Sequence, residues 1–458
     1  MFIFVHNMSS ETFNKWKNYT LWFLLIWMTS NFFPGSYNVD TWYQYFEMEE
    51  WRFDDWHSPF MAILWKPLYI FTDRFFSLYL LQMAWYFLYF RALNQYFTKR
   101  WVVLFSIGSS ILLVFIPQYI MKDVLLALSW CTAMVMMFKP EHHHIRLRQT
   151  IVIVLIAYGL LLRPNSLPAS WPLIMVWLSG FTMFRERRIL KCACTFVISL
   201  VIFALYYVVL WGVLQAKPSY FTYKYRLADV QGISIMSGKN YMPECITSFP
   251  KYDEKRIEKE YTPATNDYLY FWGDSVYPAP TEIRDKCVKE AWVKAIKENP
   301  VTYLKCRSIG YAYYLKIMHR VPHNQYWNAM VYVVKNNYIP IDDKHTIYTK
   351  ALRFGWKILG HTFFFDPWFW LLLNTILAFY FYRRYKRERG QGLKALLALQ
   401  LCCIIYQLSM FPFFQIDLDF RFNYLNILAA FTGLFFYFDN FAKQKKAAPV
   451  VTTVSRSV

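Results

Sequence analysis

The sequence predicts an all-α polytopic membrane protein with about ten transmembrane helices and a mainly helical exterior loop domain. Three observations lead to this prediction. The chain of 458 residues is 56% hydrophobic and 17% charged, whereas soluble domains are about 45–50% apolar and about 25% charged. The apolar residues are concentrated in long runs, near the roughly 20 residues that a spanning helix needs. The basic residues cluster in the short segments between those runs, as in the cytoplasmic loops of membrane proteins.

Ten apolar runs are predicted to span the membrane. They cover residues 18–33, 76–97, 101–117, 123–139, 150–163, 167–183, 190–214, 363–382, 394–411 and 425–441. The first is expected to be an uncleaved span, because no small-residue cleavage site follows it. The Lys and Arg clusters at 15–17, 99–100, 146–148, 185–191, 383–389 and 443–446 are expected in the cytoplasm. This arrangement places both termini inside.

The spans divide the chain into five predicted parts. These are a cytoplasmic N-terminus (1–17), a transmembrane module (18–214) with an exterior loop at 34–75, an exterior loop domain (215–362), C-terminal transmembrane helices (363–441) and a cytoplasmic tail (442–458). Residues 59–72 are apolar but short, and a span there would put later basic clusters outside. We therefore expect an interfacial or re-entrant helix there. Apolar spacing predicts two more helices over 284–300 and 301–318.

The net charge of +20 would favour nucleic-acid binding in a soluble protein. Here its distribution follows the positive-inside rule, so we expect no nucleic-acid partner. A preference for anionic lipids or for a phosphate-bearing substrate stays open. No cofactor is predicted, and a divalent metal stays possible without support from the sequence, since His142–His144 lie among cytoplasmic arginines. Of eight cysteines, Cys245, Cys287 and Cys306 lie in the exterior loop domain, where they allow at most one internal disulfide.

Four groups of polar residues lie where predicted spans reach the exterior. They are Asp40 and His57 in the first loop, Lys122 and Asp123, Arg163 and Asn165, and Asp417, Asp419, Arg421 and Tyr424. Ionisable groups at a bilayer edge are costly and often functional, and four groups on one side could form one cavity. Each group also has a simpler interpretation, as helix caps or local ion pairs or as arginines that reach headgroup phosphates. The other acids of the first loop, Glu47, Glu49, Glu50, Asp54 and Asp55, are expected to be a solvated surface.

A carboxylate accompanied by several cations suits one kind of reaction. The chain shows no phosphate-binding loop, nucleophile elbow or zinc motif. A carboxylate base could instead deprotonate an acceptor hydroxyl, while Arg and Lys neutralise a departing phosphate. Sugar transfer from a lipid-phosphate donor has these requirements. It also explains a site at the bilayer edge, because the lipid tail stays in the membrane.

The arrangement resembles the GT-C superfamily of polyprenyl-phosphate-sugar-dependent membrane glycosyltransferases. The similar segments are PGSYNVDTWYQ with Asp40, His57-Ser58-Pro59, Lys122-Asp123, LLRPNS, DFRFNYLNIL and KENPVTYLKCR. The resemblance implies that Asp40 is the base and that His57 or Asp123 orients it. It implies that Lys122, Arg163 and Arg421 bind the donor phosphate. Asn165, Asp417, Asp419 and Tyr424 would complete the site on the acceptor side.

Size and layout resemble, within this superfamily, the bacterial and prophage glucosyltransferases that convert O-antigen serotype. That resemblance implies an undecaprenyl-phosphate-linked donor, a lipid-linked or polysaccharide acceptor, and an inner-membrane enzyme whose active site faces the periplasm. Three alternatives stay open: an O-antigen polymerase or ligase, a polysaccharide or lipid transporter, and a scaffolding membrane protein. A transporter would be expected to show internal repeats and broken helices, which the sequence does not show.

Overall fold

The computed structural model describes residues 8–33, 35, 39–70, 76–138, 145–184, 187–263, 275–317, 354, 362–411 and 420–447. Within these ranges all regular elements are helical, and an isolated bridge joins Asp54 and Lys217. The helices are α1 (Ser10–Phe32), α2 (Val39–Glu50), α3 (Phe60–Tyr69), α4 (Phe76–Asn94), α5 (Arg100–Leu113), α6 (Lys122–Met136), α7 (Ile145–Leu162), α8 (Leu167–Leu178), α9 (Arg188–Tyr207), α10 (Thr222–Ser237), α11 (Glu244–Thr247), α12 (Glu254–Glu260), α13 (Glu282–Glu298), α14 (Pro300–Tyr314), α15 (Pro367–Glu388), α16 (Gln391–Ser409) and α17 (Tyr424–Ala447).

Each of the ten predicted spans overlaps one of these helices, with ends shifted by up to eight residues. Among the described residues, three helical segments are long and apolar enough to cross a membrane: α7, α9 with its π-helical continuation to Val213, and α16. Helix α5 and residues Tyr424–Asp439 of α17 are shorter apolar helices. The all-helical class is therefore confirmed for the described residues, whereas ten membrane crossings stay a prediction.

Helix α6 lies at the centre of the bundle. Its residues from Asp123 to Cys131 are all buried, and Nε1 of Trp130 donates to the Ile156 carbonyl of α7 at 3.0 Å. Gly159 permits this close approach, because a Cβ atom there would lie 2.2 Å from Nε1 of Trp130. This packing holds α6 in place against α7. The first two residues of α6, Lys122 and Asp123, are predicted site residues.

The loop predicted to lie outside the membrane, residues 34–75, forms two short helices within its described residues, of which one was predicted. Helix α3 confirms the short helix expected within 59–72, and its ten residues extend about 15 Å, half the thickness of the hydrocarbon core. Nζ of Lys66 donates to the carbonyls of Met48 at 2.9 Å and Glu49 at 3.3 Å. Lys66 thus satisfies carbonyls at the end of α2 and connects α2 to α3. Helix α2 was not predicted from the sequence.

The described residues of 215–317, which we call the lobe, have apolar clusters of their own. One forms around Tyr223, Leu227 and Val288, and another around Val230 and Ala295. Helices α13 and α14 confirm the two helices predicted from spacing, with the break at Asn299-Pro300. Helix α10, which was not predicted from the sequence, packs against both.

A buried ion pair joins α10 to α14 inside the lobe. Nη2 of Arg307 lies 2.5 Å from Oδ2 of Asp229, and Nε1 of Trp292 donates to the same oxygen at 2.8 Å. Burial raises the pKa of Asp229 to about 6, although the charge of Arg307 opposes this shift. The three partners together hold α10, α13 and α14 in one arrangement.

One disulfide, Cys245–Cys287, links α11 to α13. It resolves the pairing that the sequence left open, and Cys306 is buried and free. Disulfides persist in oxidising compartments, so this bond fits the expected exterior location of the lobe.

The disulfide predicts how many thiols react in the denatured protein. Without reductant, a maleimide should label the six free cysteines, and with reductant all eight. Intact-protein mass spectrometry gives both counts, and Cys287→Ser should leave Cys245 free to react without reductant. Labelling of all eight thiols without reductant would show that the bond is not formed.

Candidate functional site

Residues from separate parts of the sequence meet at one end of the bundle. Nδ1 of His57 lies 2.9 Å from Nζ of Lys122, and Nε2 of His57 lies 3.9 Å from Oδ1 of Asp40. The neighbour of Lys122, Asp123, accepts a hydrogen bond of 2.7 Å from Nη2 of Arg163. These five residues are called the polar cluster below. The structure thus brings together three of the four groups that the sequence predicted to converge.

The contact with Lys122 determines the protonation of His57. An ammonium group only donates hydrogen bonds, so Nδ1 of His57 accepts, and a neutral imidazole then carries its proton on Nε2. That N–H faces the Asp40 carboxylate. The positive charge of Lys122 also reaches two acids of the first loop, where it opposes the rise in the pKa of Glu47 and of Asp54.

Asp123 and Arg163 form a largely desolvated ion pair. Their side chains are 3% and 11% exposed, and a second contact joins Nε of Arg163 to Oδ1 of Asp123 at 2.5 Å. Two parallel contacts fix the guanidinium plane as well as its position. The ring of Phe422 packs on this plane, 4.6 Å from Cζ, and so connects the start of α17 to the cluster.

Three hydrogen bonds from side chains to backbone hold the first loop in place. The hydroxyl of Thr41 donates to the Ile120 carbonyl, two residues before Lys122. The hydroxyl of Ser58 donates to the Leu161 carbonyl at 2.5 Å, two residues before Arg163. Nε2 of Gln44 donates to the Ser58 carbonyl at 3.0 Å. Asp40 and His57 are therefore positioned by the same backbone segments that carry the cations.

Exposure separates the two aspartates of the polar cluster. The side chain of Asp40 is 26% exposed, whereas that of Asp123 is 3% exposed and lies against Arg163. Of the two, Asp40 is the carboxylate that an incoming molecule can reach.

The prediction that the remaining acids form a solvated surface is wrong for three of them. Glu47 is buried on the same face of α2 as Gln44, and its Oε1 accepts from the Asp54 backbone N–H at 3.3 Å. Burial, followed by the nearby charge of Asp54, raises the pKa of Glu47 to about 8. Burial also raises the pKa of Asp54. Glu49 and Glu50 are exposed, as predicted.

The third of these acids, Asp55, joins the first loop to the lobe. Its Oδ1 accepts from the Ser219 backbone N–H at 2.5 Å and from the Ser219 hydroxyl. Beside it, Lys217 N–H donates to the Phe53 carbonyl at 2.9 Å, and Asp55 N–H donates to the Lys217 carbonyl at 3.2 Å. Nζ of Lys224 also lies over the ring of Trp56, 4.6 Å from its centroid. The lobe is therefore attached two residues from His57.

The other predicted residues have different outcomes. Asn165 is half-buried in the turn between α7 and α8. Tyr424 is buried at the start of α17 with its ring edge against Phe115, which is a packing position. Arg421 belongs to a short 3-10 helix, and its side chain lies outside the described part, as do Asp417, Asp419 and His142–His144.

Helical periodicity could have found two residues that were missed. Asp40, Gln44 and Glu47 recur at intervals of four and three, which places them on one face of a helix. No comparable signal marks Ser219 or Phe422, since their contacts join distant parts of the chain. Among the residues that the structure describes, no set of three or more His, Cys, Asp or Glu is arranged to hold a metal ion.

Comparisons with known proteins give one structural similarity. No protein-family model and no curated protein matches the chain. Among solved structures, the chain is similar to the oligosaccharyltransferase of Archaeoglobus fulgidus, crystallised with a disulfide-tethered acceptor peptide containing the NVT sequon. The superposition covers 94% of this chain and 51% of that one, with 13% identity and a TM-score of 0.39. The chain spans about half the length of that enzyme's chain, and a similarity at this level assigns neither fold nor activity.

The raised pKa of Glu47 predicts a pH-dependent stability. The unfolded chain loses the Glu47 proton near pH 4.5, and the folded protein loses it near pH 8. Between these values the folded state binds more protons, so stability falls as pH rises. Glu47→Gln should remove this contribution, and its stability relative to the wild type should rise by about 1.4 kcal/mol per pH unit. Unfolding midpoints in detergent from pH 5 to 8 measure the difference.

The control is Glu50→Gln, at an exposed position of the same helix, which should behave like the wild type. Stability curves of Glu47→Gln and the wild type that run parallel with pH would contradict the raised pKa of Glu47.

The Asp123–Arg163 pair predicts a non-additive double substitution. Arg163→Met leaves a buried carboxylate uncompensated and should cost about 3–5 kcal/mol. Adding Asp123→Asn removes that charge and should recover a large part of the loss. Unfolding midpoints of both single variants and the double variant measure the coupling. The exposed pair Lys239–Glu298 is the control and should show little coupling. Additive losses at Asp123 and Arg163 would show that the pair is not desolvated.

Proposed function

We propose that the chain is a membrane glycosyltransferase of the GT-C type that moves a sugar from a polyprenyl-phosphate donor to an acceptor hydroxyl. The observation that carries the proposal is the array Asp40–His57–Lys122, in which a reachable carboxylate, a neutral imidazole and a cation follow one another at one end of a helical bundle. A base and a phosphate-binding cation are the two groups that such a transfer needs at one place.

In the proposed reaction Asp40 is the general base. The acceptor hydroxyl binds beside Asp40, and its oxygen attacks the anomeric carbon of the donor sugar while Asp40 takes the proton. The bond between the anomeric carbon and the phosphate oxygen breaks, and the polyprenyl phosphate leaves with that electron pair. His57 is a positioning residue, because its Nε2 proton faces the carboxylate and its ring is fixed by Lys122.

The cations of the cluster are proposed to stabilise the leaving phosphate. Lys122 contributes an ammonium group that its contact with His57 holds beside Asp40. Arg163 contributes a guanidinium that Asp123 and Phe422 hold in one orientation, so it needs no reorganisation when charge develops. Asp123 thus acts through Arg163 as a positioning residue. Arg421 is proposed as a third cation, and Asn165, Asp417 and Asp419 as acceptor contacts.

A site at the end of apolar helices suits a lipid-linked donor. Helix α9 exposes Val197, Val201 and Leu205 along its length, and its last turns reach the first loop, where Tyr206 stacks on Phe60. A polyprenyl tail can lie along such a surface while its phosphate meets Lys122 and Arg163. The finer assignment follows the resemblance in size and layout: a glucosyl unit from undecaprenyl phosphate, an O-antigen acceptor and the periplasmic face of the inner membrane.

The proposal predicts that Asp40→Asn inserts normally and transfers sugar about 10²–10⁴-fold more slowly, the range expected for loss of a general base. The measurement is transfer of labelled sugar from a polyprenyl-phosphate donor to the surface polysaccharide in membranes with equal amounts of protein. Glu50→Gln, on the exposed face of the same helix, is the control and should retain activity. Transfer by Asp40→Asn at the wild-type rate would reject Asp40 as the base. No transfer by the wild type with any polyprenyl-phosphate sugar would reject the function.

A further inference from the structure

A second group of polar residues lies at the opposite end of the bundle from the polar cluster. Lys191 lies in the first turn of α9, Lys394 in the first turn of α16, and Ser179 directly after α8. We call these three residues the basic cluster. Helix α8 separates Ser179 from the turn that contains Arg163, and its twelve residues extend about 18 Å. The two clusters are therefore distinct sites.

The basic cluster brings two lysine side chains together. Nζ of Lys394 donates to the hydroxyl of Ser179 at 2.5 Å, and Lys191 lies close enough to Lys394 to act on it electrostatically. Lys191 is 6% exposed, although a lysine at the end of a membrane helix normally extends its ammonium group into water. The exposed arginines Arg187 and Arg188 lie one turn before it.

The charges of the basic cluster are not balanced by the protein residues described. Within that part of the chain, no carboxylate forms an ion pair with Lys191 or Lys394. Two adjacent ammonium groups repel each other, and burial adds a desolvation cost for each. This contrasts with the polar cluster, where Asp123 accompanies Arg163.

A buried amide group lies next to the basic cluster. A Cβ atom at Gly180 would lie 2.7 Å from Nε2 of Gln149, so the Gln149 side chain packs directly against the residue after Ser179. Gln149 is buried, and its Oε1 has no hydrogen-bond partner among the described residues. This oxygen is an acceptor, so it can take a hydrogen bond from an N–H or O–H group but not contact a phosphate oxygen favourably.

We propose that Lys191 and Lys394 bind a phosphate-bearing anion at this end of the bundle. Phosphate oxygens accept several hydrogen bonds from ammonium groups, and one bound anion would supply the missing negative charge to both lysines. The anion is either the headgroup of an acidic phospholipid or free inorganic phosphate. This inference does not depend on the proposed sugar transfer, because none of its residues belongs to the polar cluster.

The test is a binding titration of the full-length protein, purified in detergent, by native mass spectrometry. The probes are phosphatidylglycerol, phosphatidylcholine as the zwitterionic control, and inorganic phosphate. The wild type should bind phosphatidylglycerol in preference to phosphatidylcholine, or bind inorganic phosphate. Lys191→Met and Lys394→Met should each weaken that binding by about tenfold or more. Arg387→Met removes an exposed charge of α15 and should leave binding unchanged.

Each outcome decides the inference. Phosphatidylglycerol binding that inorganic phosphate does not displace identifies a lipid headgroup, and binding of phosphate alone identifies the free anion. If a Met variant does not fold, Lys191→Arg and Lys394→Arg retain the charge and should retain binding. A wild type that binds neither anion overturns the inference. So do Met variants that fold and bind as tightly as the wild type.

Discussion

The geometry of the candidate site depends on the Asp123–Arg163 ion pair. Neither charge is well solvated, so each needs the other, and the pair fixes the start of α6 relative to the turn between α7 and α8. The same pair sets the position of Lys122, because Lys122 directly precedes Asp123 in the chain. His57 is then oriented by Lys122 and presents its Nε2 side to Asp40.

The sequence allowed the helical class and much of the site to be predicted, because both depend on local patterns. Apolar run length located the long helices, and the polar residues at run ends identified Asp40, His57, Lys122 and Arg163. Contacts between distant segments could not be predicted from the sequence. Phe422 packs on Arg163 and Asp55 bonds Ser219, but nothing near these residues in the chain marks the pairing. Glu47 was misjudged for a related reason: its burial is caused by the folding of the first loop into α2, which was not predicted.

The polar cluster and the basic cluster differ in the groups that surround their positive charges. At the polar cluster, Arg163 has a carboxylate partner and aromatic packing, and the arrangement is rigid without any added molecule. At the basic cluster, Nζ of Lys394 donates to the Ser179 hydroxyl, and the Gln149 amide packs against Gly180. Neither of these polar groups carries a charge. Clusters of basic residues at helix ends are expected from the positive-inside rule. Burial of Lys191 is the feature that this rule does not explain.

The bridge between the first loop and the lobe has a consequence for biogenesis. Asp55 and Ser219 are 164 residues apart, and six of the predicted spans lie between them. At about 5–20 residues per second, on the order of ten to thirty seconds pass after Asp55 is synthesised before its partner leaves the ribosome. In the predicted topology, the loop around His57 has by then crossed the membrane but has not yet bonded to the lobe. A chain that stalls before Ser219 therefore has the loop without its bond to the lobe.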